Sequence, residues 1–598
     1  MRLRSLASVL LIALLPACAA SRARQIETWV DTGQSLLDVN RPKEAELSFE
    51  RALELDEDSL DARVGLLRSW MDQGRNNDSL DAIDELKRDG LEGPPLDYLY
   101  GMAFARRAQT KVAQGDLDGT VQMNFQDAVG LLEAAVQADP ERYEDAWPAL
   151  AESAWMSLDL PRAREAAERA VASFPERGDD RALLGRIAFS QFRAAYDDAG
   201  GSIDATAGER LDDALSAFRG ALTTYGPAKT DEQGYVLSDV EVQIGNALLW
   251  KEDASAAADA YTNAIALAPD AVDYAQTLQL FDASTFRDVL AGGLARFEAE
   301  HVGADPETGE PAPLPERANA LAWWLAYAEY AAGNHEAAEA GFQRALALDD
   351  SFVNSWFYLA QTRYAREDWP GTIDALRSGW TANPEAVVAE MQTNLELNLA
   401  KVSYVVGWCA NAERLEDAAL LSRINAESAV QVPTYWSDLG LFLRDRGDEL
   451  GETAEAQALH EEAFEAYQRA LALAPQDPQI LNDTAVMLTY YLHREYGRAL
   501  EMFDQAQFLA RETLETGEVS AEMQPILEKA LDDATNNGRR LREALERAAE
   551  KAAAEAEGTG EAGAAEDSAS EAQSDSQSDA QSDAGSDAAG EASDGSER

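Results

Sequence analysis

One short pattern returns along most of this chain. An Ala is followed four positions on by an aromatic or bulky residue, then three further by a second Ala, and often by a Pro five beyond that. It reads as Ala45-Phe49-Ala52, Ala128-Leu132-Ala135-Pro140, Ala163-Ala167-Ala170-Pro175, Ala214-Phe218-Ala221, Ala257-Tyr261-Ala264-Pro269, Ala338-Phe342-Ala345, Ala463-Tyr467-Ala470-Pro475 and Ala499-Phe503-Ala506. Offsets of four and seven put all three residues on one helical face. Pro cannot continue a helix, so it marks the stop. Upstream lies a second helical signal, a large residue followed by a small one, as in Leu150-Ala151, Leu184-Gly185, Ile244-Gly245, Leu325-Ala326, Leu359-Ala360 and Leu439-Gly440. Trp147, Trp356 and Trp436 stand three residues before it, and Trp29 holds the same slot ahead of Gly33. Small residues let two antiparallel helices approach, and the rings fill the space toward the next pair.

These landmarks resemble the tetratricopeptide repeat family, whose unit is about 34 residues long. Segments 26–59, 144–177, 238–271, 319–352 and 353–386 keep that length, although the second helix of the last, Thr372-Leu376-Gly379-Pro384, matches less well. Insertions fall near 102–124, 193–210 and 445–460, and weaker units occupy 60–93, 272–301, 399–432 and 480–512. The resemblance implies an all-α fold, a right-handed superhelical solenoid of helix hairpins, in which each unit contacts only its neighbours. The expected organisation is a leader at 1–18, an N-terminal array at 26–271, an irregular unit with a Pro-rich loop at 272–318, a C-terminal array at 319–512, a closing helical segment at 521–556 and a tail at 558–598.

The two ends differ from the body. Arg2 and Arg4 precede a short apolar run from Ala7 to Leu15, which has the form of an export signal. Leu15-Pro16-Ala17-Cys18 resembles a bacterial lipobox, in which Cys18 would be acylated and become the mature N-terminus, although Pro16 departs from the usual small residue. Cleavage after Ala17-Cys18-Ala19, a small-x-small site, is a second reading of the same residues, and an uncleaved anchor is a third. At the far end, 521–556 reads as two helical pieces separated at Asn536-Asn537-Gly538. Residues 558–598 hold no Leu, Ile, Val or aromatic residue and are expected to be disordered, since they have nothing to bury against the entropy of ordering.

The formal net charge is −59, with 109 Asp and Glu against 50 Lys and Arg. Such a body disfavours nucleic acid, where affinity comes from cations on phosphates. It also disfavours electrostatic adhesion to anionic lipid, so membrane attachment would run through an N-terminal lipid anchor at Cys18. A basic protein or peptide partner would be steered in. The only other Cys, Cys409, lies in an apolar stretch and reads as a small buried residue. His335-Glu336-Ala337-Ala338-Glu339 has one imidazole where a zinc-protease helix has two, and His460-Glu461-Glu462-Ala463-Phe464 fails in the same way. No phosphate loop, nucleophile elbow or Cys-x-x-Cys pair is present. No catalytic residue, metal or cofactor is expected.

The repeat resemblance implies a concave surface lined by first helices, at the fifth, ninth and twelfth unit positions. In the units beginning at Asn319 and Val353 these are Trp323, Tyr327 and Tyr330, then Phe357, Gln361 and Tyr364. The expected function is a non-enzymatic scaffold of the bacterial cell envelope that holds a partner segment in this groove. The alternatives are a self-associating envelope component and an enzyme whose site is assembled from distant residues. The stripe could equally pack within the repeat array.

Overall fold

The computed structural model describes residues 22–301, 314–517 and 519–559. The leader with Cys18, the Pro-rich stretch from 302 to 313 and the tail from 560 onward lie outside them. The chain divides into two compact units, Met1–Ala312 and Pro313–Arg598. Every regular element among the described residues is a helix.

In the first unit the helices are α1 (22–38), α2 (Pro42–Leu55), α3 (Leu60–Asp72), α4 (Asn76–Arg88), α5 (Pro94–Ala113), α6 (Gly119–Ala138), α7 (Trp147–Met156), α8 (Leu160–Ser173), α9 (Gly178–Asp198), α10 (Ala205–Tyr225), α11 (Asp231–Trp250), α12 (Ala254–Leu267), α13 (Tyr274–Leu280) and α14 (Ala283–His301). The second unit holds α15 (Asn319–Ala331), α16 (His335–Leu348), α17 (Val353–Ala365), α18 (Trp369–Ala382), α19 (Pro384–Gln392), α20 (Leu395–Asn411), α21 (Leu415–Ser428), α22 (Pro433–Leu450), α23 (Ala454–Leu473), α24 (Pro478–Val486), α25 (Tyr496–Thr516) and α26 (Met523–Thr559). Within each unit the helices pack as sequential hairpins, with α14 resting mainly on α12 across the short α13.

The large-small rule has a direct physical cause. Phe49 on α2 is buried between two first helices. A Cβ on Gly33 would stand 2.6 Å from its Cζ, and one on Gly65 2.2 Å from its Cε1. The same exclusion recurs between Gly185 and Phe218 at 2.5 Å, Gly245 and Tyr261 at 2.7 Å, and Gly440 and Tyr467 at 2.8 Å. Each aromatic therefore fills a gap that only a glycine leaves open.

The turn inside a hairpin also repeats. The first helix ends on a left-handed residue, Leu158, Glu252, Glu367 or Glu413 in four hairpins and Gly333 in a fifth. An Asp then caps the second helix in three of them. Asp159, Asp253 and Asp368 accept from the backbone N–H of Arg162, Ala256 and Gly371 at 3.2, 3.1 and 3.0 Å.

The insertions lengthen helices more than loops, so α5 and α6 have 20 residues each and α9 and α10 have 21. The closing segment departs from its expected form: it is one continuous helix, α26, and not two pieces. Asn537 donates to Asn482 Oδ1 at 3.1 Å, and a Cβ on Gly538 would stand 3.2 Å from Phe503 Cβ. The polar and small residues that read as a break are thus contacts onto the preceding hairpin. Leu527, Ala530, Ala534 and Leu541 form its buried stripe, while Met523 and Ile526 are exposed.

Candidate functional site

The predicted aromatic stripe in the second unit separates into core and surface. Trp323 is 9% exposed and Phe357 3% exposed. The Trp323 ring stacks on Tyr327 at 5.5 Å and meets Phe352 and Tyr358 edge-on at 6.0 and 5.7 Å. Trp323 and Phe357 therefore belong to the core between hairpins and do not face a groove, which corrects their assignment as contact residues. Tyr327, Tyr330 and Tyr364 are half-buried. Tyr358, outside the predicted stripe, is where the rings meet, 5.3 Å from Tyr327 and 5.9 Å from Tyr330.

Gln361 is also buried, but its polar end is in use. On α17, Asn354 and Gln361 lie seven residues apart, hence on one face. Asn354 Nδ2 donates to Glu390 Oε1 on α19 at 2.6 Å. Gln361 Oε1 accepts from Lys401 Nζ on α20 at 2.6 Å. Lys401 Nζ also lies 5.6 Å from the centre of the Tyr364 ring. Tyr364 in turn packs on Trp369 at 5.2 Å, and Trp369 on Tyr404 at 5.2 Å. Tyr404 is 55% exposed, and Leu397 beside it on α20 is exposed as well.

Glu390 and Lys401 are both half-buried, and among the described residues neither forms an ion pair. Burial pushes the Glu390 carboxyl above its ordinary range, against the lowering effect of the Asn354 hydrogen bond. Burial also pushes the Lys401 ammonium below its ordinary range. Each charge is oriented by a neutral amide that cannot neutralise it. Sequence reasoning missed Glu390 because α19 is an extra helix between two units. Its signal was Asn383-Pro384, where Asn383 Oδ1 accepts from Ala386 N at 3.1 Å and starts a new helix.

The first helices of the first unit are also polar, but several of their charges are matched. Arg68 pairs with Asp145 at 2.9 Å, and Tyr98 donates to the same carboxylate at 2.8 Å. Arg106 pairs with Asp72 at 3.1 Å and Arg186 with Asp239 at 2.6 Å. A cleft of about 650 Å³ in this unit is lined by Lys229, Glu241, Glu300 and His301, among others. His301 Nδ1 lies 3.1 Å from the Phe297 carbonyl and its ring stacks on Phe297, so one face of it serves α14 itself.

The other motifs resolve as structure. Glu339 is held by Arg363 at 2.9 Å and by Arg366, away from any metal geometry. Glu461 accepts both Arg494 guanidinium nitrogens at 2.8 Å. Among the described residues no group of three His, Cys, Asp or Glu is placed to hold a metal ion. Cys409 is buried, and burial pushes its thiol up to about 12.

The architecture defines a class, an array of stacked helix hairpins. A tetratricopeptide repeat family model matches residues 30–91, which span the first two hairpins. No curated protein matches the chain. Among solved structures it is similar to TTC0263, a thermophilic TPR protein of Thermus thermophilus, at 20% identity over 38% of this chain and 99% of that one, with a TM-score of 0.27. It is similar to yeast Tom70 at 15% identity over 87% and 97% of the two chains, with a TM-score of 0.20. YrrB, described as a TPR protein with an unusual peptide-binding site, is 17% identical over 32% and 84%, with a TM-score of 0.20.

Proposed function

We propose that this chain is an exported, lipid-anchored, non-enzymatic scaffold of the bacterial cell envelope, and that it binds a segment of a partner protein along the face of α17, α19 and α20. The observation that supports the docking surface is the pair of half-buried, unmatched charges, Glu390 and Lys401, with the exposed Tyr404 one helical turn from Lys401. Arg68, Arg106 and Arg186 on the first helices of the other unit are all matched by carboxylates. Leaving two charges desolvated and unmatched is costly without a ligand. Rings with polar tips give contact area at low entropic cost. The export reading rests on the leader and Cys18. No described helix is long and apolar enough to cross a membrane.

Photo-cross-linking in cells tests the surface. A cross-linker at Tyr404 is expected to trap a discrete protein adduct that one at the exposed Glu336 on α16 does not. Identical adducts from both positions would remove the docking face. Mass analysis of the mature N-terminus decides between acylated Cys18 and ordinary cleavage.

A second reading, self-association, is favoured by Phe508, Met523 and Ile526, which are exposed apolar residues on α25 and α26. Sizing across a concentration series separates the two, since only self-association shifts with dilution.

A further inference from the structure

Resting on that docking reading, we infer that the recognised segment is extended and carries one cationic and one carboxylate side chain about 10 Å apart, the cation meeting Glu390 and the carboxylate meeting Lys401.

Two residues of α17 set the spacing. Asn354 and Gln361 are separated by seven helical residues, which is about 10.5 Å along the axis. Each holds one charge by a 2.6 Å hydrogen bond, so the two charges sit at opposite ends of the same face. In an extended chain of the polyproline II type, three residues make one turn and advance about 9 Å, which puts the first and fourth side chains on the same side at a similar spacing. A segment crossing this face can therefore reach both ends without folding.

Charge then fixes the chemistry. The amides orient Glu390 and Lys401 but leave their charges unmatched, and a half-buried charge gains most from a counter-ion that completes its desolvation. The overall charge of −59 alone would favour a purely basic segment. Such a segment satisfies Glu390 and sets a like charge against Lys401. A purely acidic segment reverses the fault. Only a mixed pair satisfies both, so Lys401 acts as the selective element against simple polycations.

The surroundings add one more feature. Leu397 and Tyr404 flank Lys401 at i−4 and i+3 on α20, both exposed, with Trp369 behind Tyr404. The carboxylate of the segment should therefore be bordered by an apolar side chain.

Four end-blocked, fluorescently labelled peptides test this against the full chain. Each has a Leu beside the second of two variable positions set three residues apart, and these carry Arg and Asp, Arg and Arg, Asp and Asp, or Ala and Ala. The Arg/Asp peptide is expected to bind at least about tenfold more tightly than the other three. Lys401→Met should erase its advantage over Arg/Arg, and Glu390→Gln its advantage over Asp/Asp, with the thermal midpoint and helicity confirming each fold. The double reversal Glu390→Lys with Lys401→Glu should favour a peptide with Asp and Arg exchanged. Equal binding of Arg/Arg and Arg/Asp, with Tyr404→Ala weakening both, would overturn the charge pairing and leave the docking face standing. Failure of all four peptides to bind, together with no discrete adduct at Tyr404, would overturn both.

Discussion

Gly65 and Phe49 exclude one another's atoms, since a Cβ at Gly65 would stand 2.2 Å from Phe49 Cε1. The ring belongs to α2 and the glycine to the first helix of the next hairpin, so the contact joins two repeats. Gly65→Ala forces the ring or the helix to move, and overpacking of this kind costs about 1–3 kcal/mol. A Cβ at Gly130 on α6 would meet nothing within 4 Å. Gly130→Ala should instead stabilise by about 0.5–1 kcal/mol through helix propensity. Chemical denaturation of the two variants should give opposite shifts.

Trp323 and Phe357 should behave as core residues. Replacing either with Ala is expected to cost about 3–5 kcal/mol. Tyr404→Ala, at a 55% exposed position, should change stability by less than about 1 kcal/mol. Thermal denaturation separates them, so loss of binding is interpretable only for Tyr404.

Asp180, near the start of α9, is 5% exposed, and its Oδ2 has no hydrogen-bond partner. Burial raises its carboxyl from 3.8 to about 6, with Arg177 opposing and Asp179 and Glu176 assisting. Between those values the folded chain holds a proton that the unfolded chain releases. The contribution is full below about pH 4 and is lost as pH rises through about 6. Asp180→Asn should remove that slope and raise stability at neutral pH by up to about 2–3 kcal/mol. Denaturation midpoints across the acid range would show it.

Cys409 should resist thiol reagents, because burial suppresses the thiolate that reacts. In a chain with Cys18→Ser, labelling at mildly alkaline pH should be negligible when folded and complete in denaturant. Rapid labelling of the folded chain would contradict the assigned environment.

The repeat frame was legible because its landmarks sit at helical offsets. Phe49, Phe218, Phe342, Tyr467 and Phe503 are all buried as their phase requires. The site was legible only in part. The unit positions that led to Trp323 and Phe357 set direction along a helix, but not whether a neighbouring hairpin covers it. Phe352 and Tyr358 do cover Trp323. Glu390 escaped because it stands on α19, out of phase with the units on either side. Gly538 misled because a helix glycine reads as a stop, whereas here it admits the preceding hairpin. Such contacts are tertiary, and no single segment carries them.

The hairpin of α9 and α10 has arms of 21 residues beside α8 and α12 of 14. Seven extra residues add about 10 Å of helix. The neighbouring α11 packs its Trp250 on Tyr196 near the end of α9, but the connecting turn beyond it is exposed from 200 to 204, which makes it a tip relieved of packing duty. That tip is the natural place to splice foreign sequence, such as an affinity tag or a fluorescent domain, with the array on either side undisturbed.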